Sequence, residues 1–136
     1  FTMDLPPARD AILIGTGTGV APLRAMIKDA LSRGTDRRLT LVQGVRSEAD
    51  VLYGAEIEAL ARAHENFQFI VTLSRPSEAW SGAKGYVQLR LRELVQQGAD
   101  VDVYVCGLSK MTEEVRRILR QDLGLPRQRV HTERYD

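Results

Sequence analysis

The sequence predicts an α/β fold of three layers, a Rossmann-like domain with a parallel sheet of roughly five strands and helices on both faces. Three observations carry this. Short aliphatic runs alternate along the chain with stretches whose apolar residues recur at helical spacing. The first run, Ala11-Ile12-Leu13-Ile14, is apolar at every position, as in a strand covered on both faces. A glycine cluster then separates this run from the first helical stretch, the usual join in α/β domains with parallel strands.

The elements follow in order. Pro22 stands just after the glycines, where the first turn of a helix tolerates it. Leu23, Met26, Ile27 and Leu31 form that helix's apolar stripe, and Gly34 is placed to stop it. Leu39 to Gly44 is the second strand. Tyr53 to His64 is the second helix, with Ile57, Leu60 and Ala61 inward, and Phe67 to Leu73 is the third strand. A polar loop holding Pro76, Gly82 and Gly85 leads to a third helix over Val87–Gln97. Val101 to Cys106 is the fourth strand, Met111 to Leu123 the fourth helix, and Val130 to Thr132 a short last strand.

The 136 residues suit one domain, and 43% hydrophobic content is enough for a core. A formal net charge of +1 gives no general field for nucleic acid. The single Cys106 excludes an internal disulfide, and no His/Cys cluster has metal-ligand spacing. No apolar run is long enough to cross a bilayer and no signal peptide is visible, so a cytoplasmic location is expected. The chain opens on Phe1-Thr2-Met3-Asp4-Leu5 and then Pro6-Pro7, which has the character of a tail and stiff connector from something preceding. Residues 1–10 are therefore assigned to a linker and 11–136 to the domain.

The chemistry concentrates in Gly15-Thr16-Gly17-Thr18-Gly19-Val20-Ala21-Pro22. Glycines let backbone N–H groups approach a ligand closely, and a helix start adds unpaired donors and partial positive charge. Together these suit a pyrophosphate, and the hydroxyls of Thr16 and Thr18 add to them. The common dinucleotide fingerprint is incomplete: Gly15 and Gly17 fill its first two places, but Val20 occupies the third. No acid follows the second strand, which runs into Gln43-Gly44-Val45-Arg46. A Walker loop is excluded because no Lys-Ser or Lys-Thr follows the glycines.

The run Gly15 to Arg24 closely resembles the pyrophosphate loop of the ferredoxin–NADP reductase family. Four more segments resemble that family in the right order: Gly44-Val45 with Leu52-Tyr53 and Glu56, then Ser74-Arg75, then Lys84-Gly85-Tyr86-Val87-Gln88, then Cys106-Gly107-Leu108 with Met111. The resemblance spans about Ala11 to Tyr135. It implies that Gly15, Thr16, Gly17, Thr18, Gly19 and Pro22 line a nicotinamide dinucleotide, with Gly44, Gly107, Leu108 and Met111 also at the cofactor. It implies that Ser74, Arg75, Lys84 and Tyr86 take an adenosine 2′-phosphate, so NADP(H) is favoured over NAD(H). It implies that Cys106 lies beside the nicotinamide, with Glu133 and Tyr135 at the flavin face. The family ends at that aromatic, whereas Asp136 continues here, which puts ring stacking by Tyr135 in question.

The resemblance further implies an FAD-binding domain in the same parent chain, absent here, and an electron acceptor such as a ferredoxin, an oxygenase or a fused redox domain. The chain on its own would then be nearly inactive. A non-catalytic nucleotide-binding regulatory module is the alternative; a flavin-binding segment upstream in the parent gene separates the two. Several residues keep a plainer reading. On that reading Cys106 is a small buried hydrophobe, Glu133 a surface carboxylate, and Arg116, Arg117 and Arg120 a solvated helix face. Trp80 either packs on the core or helps enclose the adenosine site, and His64 is read as solvated.

Overall fold

Successive side chains of a strand point to opposite faces, so the first strand, β1 (Asp10–Thr16), feeds two cores at once. Ala11 and Leu13 pack in one cluster with Leu23, Ile27, Leu41, Ile57 and Tyr104. Ile12 and Ile14 pack in the other with Val42, Val87, Leu91, Val105 and Leu119. The computed structural model describes residues 9–97 and 99–134.

The remaining elements are α1 (Val20–Ser32), β2 (Leu39–Val45), α2 (Gly54–Ala63), β3 (Phe67–Leu73), β4 (Ala83–Lys84), α3 (Val87–Leu94), β5 (Val101–Gly107), α4 (Ser109–Arg117) and β6 (Val130–Arg134). The six strands form one sheet in the order β4-β3-β2-β1-β5-β6, and every described pairing is parallel. Buried residues of α1 and α2 belong to the first cluster, and those of α3 and α4 to the second, which gives the three layers. No helix among the described residues is long and apolar enough to cross a membrane.

The structure differs from the sequence reading at four places. The sheet has six strands rather than about five, because Ala83 and Lys84 pair with Thr72 and Leu73. Two residues within a Pro/Gly/Ser loop leave no periodic signal to find. The third helix stops at Leu94 rather than Gln97. The fourth starts at Ser109 rather than Met111, and its last turn widens to a π-helix over Ile118–Asp122. There the Leu123 N–H donates to the Ile118 carbonyl at 2.9 Å, which turns Leu123 and Leu125 inward. Asp10, assigned to the connector, is already the first residue of β1. Gly34 ends α1 as expected, with φ +75°, and its N–H donates to the Leu31 carbonyl at 3.1 Å.

At the amino edge of the sheet, cations gather on acids. Asp102, buried on β5, faces Arg37 at 3.5 Å, Arg9 at 3.7 Å and His131 at 3.3 Å. The His131 ring stacks on Tyr104 with 4.5 Å between centroids. On the α1–α2 layer, Glu56 accepts from Arg24 at 2.8 and 2.6 Å and from Lys28 at 2.9 Å. Arg24 also lies over the Tyr53 ring, 4.6 Å from its centroid. Tyr53 caps α2 with φ 56°, a strained backbone for an aromatic residue.

The hydrogen bonds from Arg24, then from Lys28, hold the Glu56 carboxyl at about 2, below its ordinary 4.5. A lowered folded value means that the contribution is complete above the unfolded value and is lost as pH falls toward the folded one. Chemical denaturation should therefore show Glu56→Gln less stable than wild type at about pH 7, with the gap narrowing below about pH 5 and closing only as pH falls through about 2. A gap that did not change with pH would mean that Glu56 acts through packing.

Candidate nucleotide-binding edge

Because all the strands are parallel, their carboxyl ends share one edge, and the sequence-predicted residues sort along it. Chain order reverses between β1 and β5, where β2 continues on one side and β6 on the other. Such a switch point opens a crevice outside the strand ends, where α/β sheets bind ligands. Thr16 pairs with Gly44 across β1 and β2, and Gly15 pairs with Cys106 across β1 and β5. Cys106 pairs in turn with Glu133 on β6. On the far flank Leu73 pairs with Val45 and with Lys84, so Ser74 and Arg75 leave β3 between the ends of β2 and β4.

The glycine loop is one 3-10 turn, Gly17–Gly19, leading straight into α1. Gly17 has φ 54°, which glycine adopts freely. At Gly19 an added Cβ would lie 2.3 Å from the Cys106 carbonyl oxygen and 3.2 Å from the Gly107 nitrogen. Gly19 therefore takes the close-packing role left open at Val20 in the common fingerprint. Both obstructing atoms are backbone and cannot swing away. The start of α1 is thus pressed against the end of β5.

No side chain caps the 3-10 turn or α1, and neither first turn carries an acid. Pro22 is the third residue of α1, where a helix N–H has no internal partner. Gly17 and Thr18 are exposed, while Gly19 and Val20 are buried. Thr16 lies deeper. Its Cγ2 is 3.3 Å from the Cβ position of Gly44, and its Oγ1 is 2.5 Å from that of Gly107. Gly44 and Gly107 make room for Thr16, and Gly107 also for Met111, whose Cε comes within 2.5 Å of the same position. Of the two loop threonines, Thr18 is exposed and Thr16 half-buried.

Cys106 is 3% exposed and packs with Val20 and Leu23. Burial first, then the Glu133 carboxylate, push its thiol above the ordinary value. A protonated, enclosed thiol is a poor nucleophile, so what Cys106 offers is shape and backbone. Glu133 lies exposed on β6 beside it, and Tyr135 falls outside the described residues.

On the basic flank Arg75, Lys84 and Tyr86 are exposed, Tyr86 at 68%. Leu108, across the crevice, is 50% exposed. Tyr86 is set by the turn before it. Thr72 donates its hydroxyl to the Gly85 carbonyl at 2.7 Å, and the Gly85 N–H donates to Leu73 at 2.8 Å. Trp80 is a packing residue of this loop, with its indole N–H donating to the Ala83 carbonyl at 2.9 Å. His64 ends α2, with Nδ1 3.0 Å from the Leu60 carbonyl.

Sequence reasoning missed two supports. Gln43, fully buried, donates to the Leu52 carbonyl at 3.0 Å and accepts from the Leu52 N–H at 2.7 Å. A glutamine inside an apolar strand was the available signal. Glu48 accepts from the Ser77 hydroxyl and, at 3.1 Å, from the Ser77 N–H. These residues are 29 apart in sequence, so no local pattern announces the contact. Away from the glycine loop, a hollow of about 260 Å³ between α4 and β6 is lined by Thr112, Glu113, Arg116, Thr132 and Arg134. Arg134 and Glu113 pair at 3.3 Å beside it. No metal-holding group of His, Cys, Asp or Glu occurs among the described residues.

The steric block predicts a direct outcome. Gly19→Ala should cost about 2–3 kcal/mol in urea unfolding and weaken nucleotide binding with it. Unchanged stability would show that α1 can move off β5.

Comparison with known proteins agrees with this geometry. Residues 13–117 match the family described as oxidoreductase NAD-binding domain. The chain is 42% identical to ferredoxin–NADP reductase B of Sorangium cellulosum, over all of this chain and 58% of that protein. It is 32% identical to the toluate 1,2-dioxygenase electron transfer component of Pseudomonas putida, over 82% of this chain and 33% of that one. Among solved structures it is similar to the Amycolatopsis cytochrome P450 reductase GcoB, with a TM-score of 0.84 and 30% identity, over 96% of this chain and 40% of that chain. The chain thus spans little more than half, or less, of these longer proteins. With its glycine turn pressed against the sheet at the switch point and the family match covering most of its length, the chain belongs to the oxidoreductase NAD-binding domain family.

Proposed function

We propose that this chain binds NADP(H) and presents its nicotinamide to a flavin carried by another segment, as one half of a ferredoxin–NADP reductase-type enzyme. The observation that carries this reading is the uncapped, acid-free start of α1, held by Gly19 at the switch point of the sheet. Backbone N–H groups at such a helix start donate to a diphosphate. The exposed Tyr86 and Leu108 supply apolar surface for an adenine. These features fit a dinucleotide laid across the edge rather than sunk in a closed cavity.

When bound, the nicotinamide supplies a hydride for the flavin, which passes electrons singly to an acceptor. The chain's own residues orient and shield. Gly17 and Thr18 hold the diphosphate. Cys106, packed under Gly19, shapes the floor next to the loop and stays protonated there. Glu133, its neighbour across the β5–β6 ladder, sets a negative charge at the flavin side. Ser74, Arg75, Lys84 and Tyr86 take the 2′-phosphate of the adenosine, with Arg able to grip it through two N–H groups. A flavin domain preceding this chain, an acceptor such as a ferredoxin or an oxygenase, and a cytoplasmic setting complete the proposal. The similarity to a ferredoxin–NADP reductase and to a dioxygenase electron transfer component supports it.

Titration calorimetry tests the nucleotide. Arg75→Ala should raise the Kd for NADPH about tenfold or more and leave that for NADH nearly unchanged. Equal effects on both would remove the 2′-phosphate from this flank. Stopped-flow reduction of the flavin in the enzyme that contains this chain tests Cys106. Cys106→Ser should slow hydride transfer about tenfold while changing NADPH affinity little; an unaltered rate would leave Cys106 a packing residue only.

A further inference from the structure

A charged cluster sits at the amino edge of the sheet, at the opposite end of the strands from the nucleotide crevice. β5 reads Val-Asp-Val-Tyr-Val-Cys-Gly, and its one charged residue, Asp102, is 6% exposed. Burying a carboxylate is costly, and a well-packed apolar residue in its place holds neighbouring strands together about as well. What a buried ion cluster adds is direction, because it fixes which groups meet and at what angle.

The cluster converges on Arg9, directly before β1. The Arg9 guanidinium reaches Asp100 at 3.3 Å and Asp102 at 3.7 Å. Its carbonyl accepts from Arg37 Nε, and Arg37, itself buried, reaches Asp102 at 3.5 Å. Arg9 is thus held by its backbone and by its side chain. The next residues are tied to the same turn: the Asp10 carboxylate accepts from the Arg38 N–H at 2.9 Å, and the Ala11 N–H donates to the Arg38 carbonyl at 2.9 Å. From the other side, Arg129 pairs with Asp100, and His131 Nε2 lies 3.3 Å from Asp102. The β1 ladder begins at Asp10, so the turn before β2 and the strand start of β5 together hold a residue that lies outside the ladder. Residues outside the elements are poorly ordered unless tied down in this way.

The position of this anchor gives it leverage. In the proposed enzyme the flavin carrier is joined to the domain through the connector that Arg9 belongs to, whereas the nicotinamide lies at the carboxyl edge. The seven residues of β1 separate the two edges by about 20 Å, at about 3.3 Å per residue. Over that length a tilt of about 5° moves the far end by about 2 Å, and a misplacement of about 1 Å at the reacting atoms costs about a hundredfold in rate.

We propose that Arg9, held by Asp100, Asp102 and Arg37, is a positioning residue: it fixes the direction in which the domain meets the preceding flavin-carrying segment, and so the approach of nicotinamide to flavin. This rests on the function proposed above. The test uses the enzyme that contains this chain and compares Arg9→Gln, Arg9→Lys and Asp102→Asn with Arg33→Gln, which breaks an exposed pair with Asp29 on α1. Stopped flow gives the rate of flavin reduction at saturating NADPH, calorimetry gives the Kd for the nucleotide, and the long-wavelength charge-transfer absorbance reports stacking of nicotinamide on flavin. Arg9→Gln and Asp102→Asn should slow reduction about tenfold and weaken the charge-transfer band while Kd stays within about twofold, with Arg9→Lys in between and Arg33→Gln at the wild-type rate. The two Arg9 variants decide the matter if Asp102→Asn does not fold. Should Arg9→Gln leave rate and band unchanged, whatever it does to the unfolding midpoint, the cluster is structural only and the assignment is overturned. A rise in Kd that matches the loss of rate overturns it as well, because the effect then lies at the nucleotide. If the wild-type flavin is reduced by neither NADPH nor NADH, the proposed function itself fails, and the role of Arg9 falls with it.

Discussion

The contact between two backbones, Gly19 at the start of α1 and Cys106 at the end of β5, is the constraint on which the rest depends. No side chain fits between them. Because they touch, the glycine turn that leads into α1 lies at the rim of the sheet, beside the crevice at the switch point. The same contact buries Val20 and Cys106 in one cluster. It also fixes the neighbourhood in which Thr16 lies between Gly44 and Gly107. Three glycines on three adjacent elements are thus parts of one packing problem, with Gly17 and Thr18 of the loop left exposed.

Electrostatics divides the two edges of the sheet. At the amino edge, arginines meet carboxylates: Arg9 and Arg37 at Asp102, and Arg129 at Asp100. These pairs hold strand starts together, and their charges cancel locally. At the carboxyl edge, Arg46, Arg75 and Lys84 stand without a carboxylate partner among the described residues. A net charge of +1 conceals this asymmetry. The field that matters to a phosphorylated nucleotide comes from placement, and the parallel ladder does the placing.

The placement of the candidate residues was largely legible before the structure. The glycine loop, Ser74-Arg75, Lys84 and Tyr86, and Cys106-Gly107 all lie on the edge where the element order puts them. That follows because alternation of apolar strands and helices dictates parallel strands, and parallel strands share a carboxyl edge. What escaped was either too short or too distant. The β4 strand has two residues and no periodicity. The Glu48–Ser77 clasp and the Gln43–Leu52 pair join segments whose meeting no local rule states. The π turn after α4 keeps the apolar spacing of a helix and so hides within it.

By itself, the sequence determined the layered fold, the order of its elements and the tight glycine turn between the first strand and the first helix, because periodicity and glycine placement act over a few residues. Tertiary structure alone decided that Gly19, and not Val20, carries the close approach, that Cys106 is an enclosed thiol and that Thr18 is exposed where Thr16 is half-buried. It also decided which cations are left without a counter-charge. Each of these depends on what a residue meets from strands and turns tens of positions away, which chain order leaves open until the sheet closes around it.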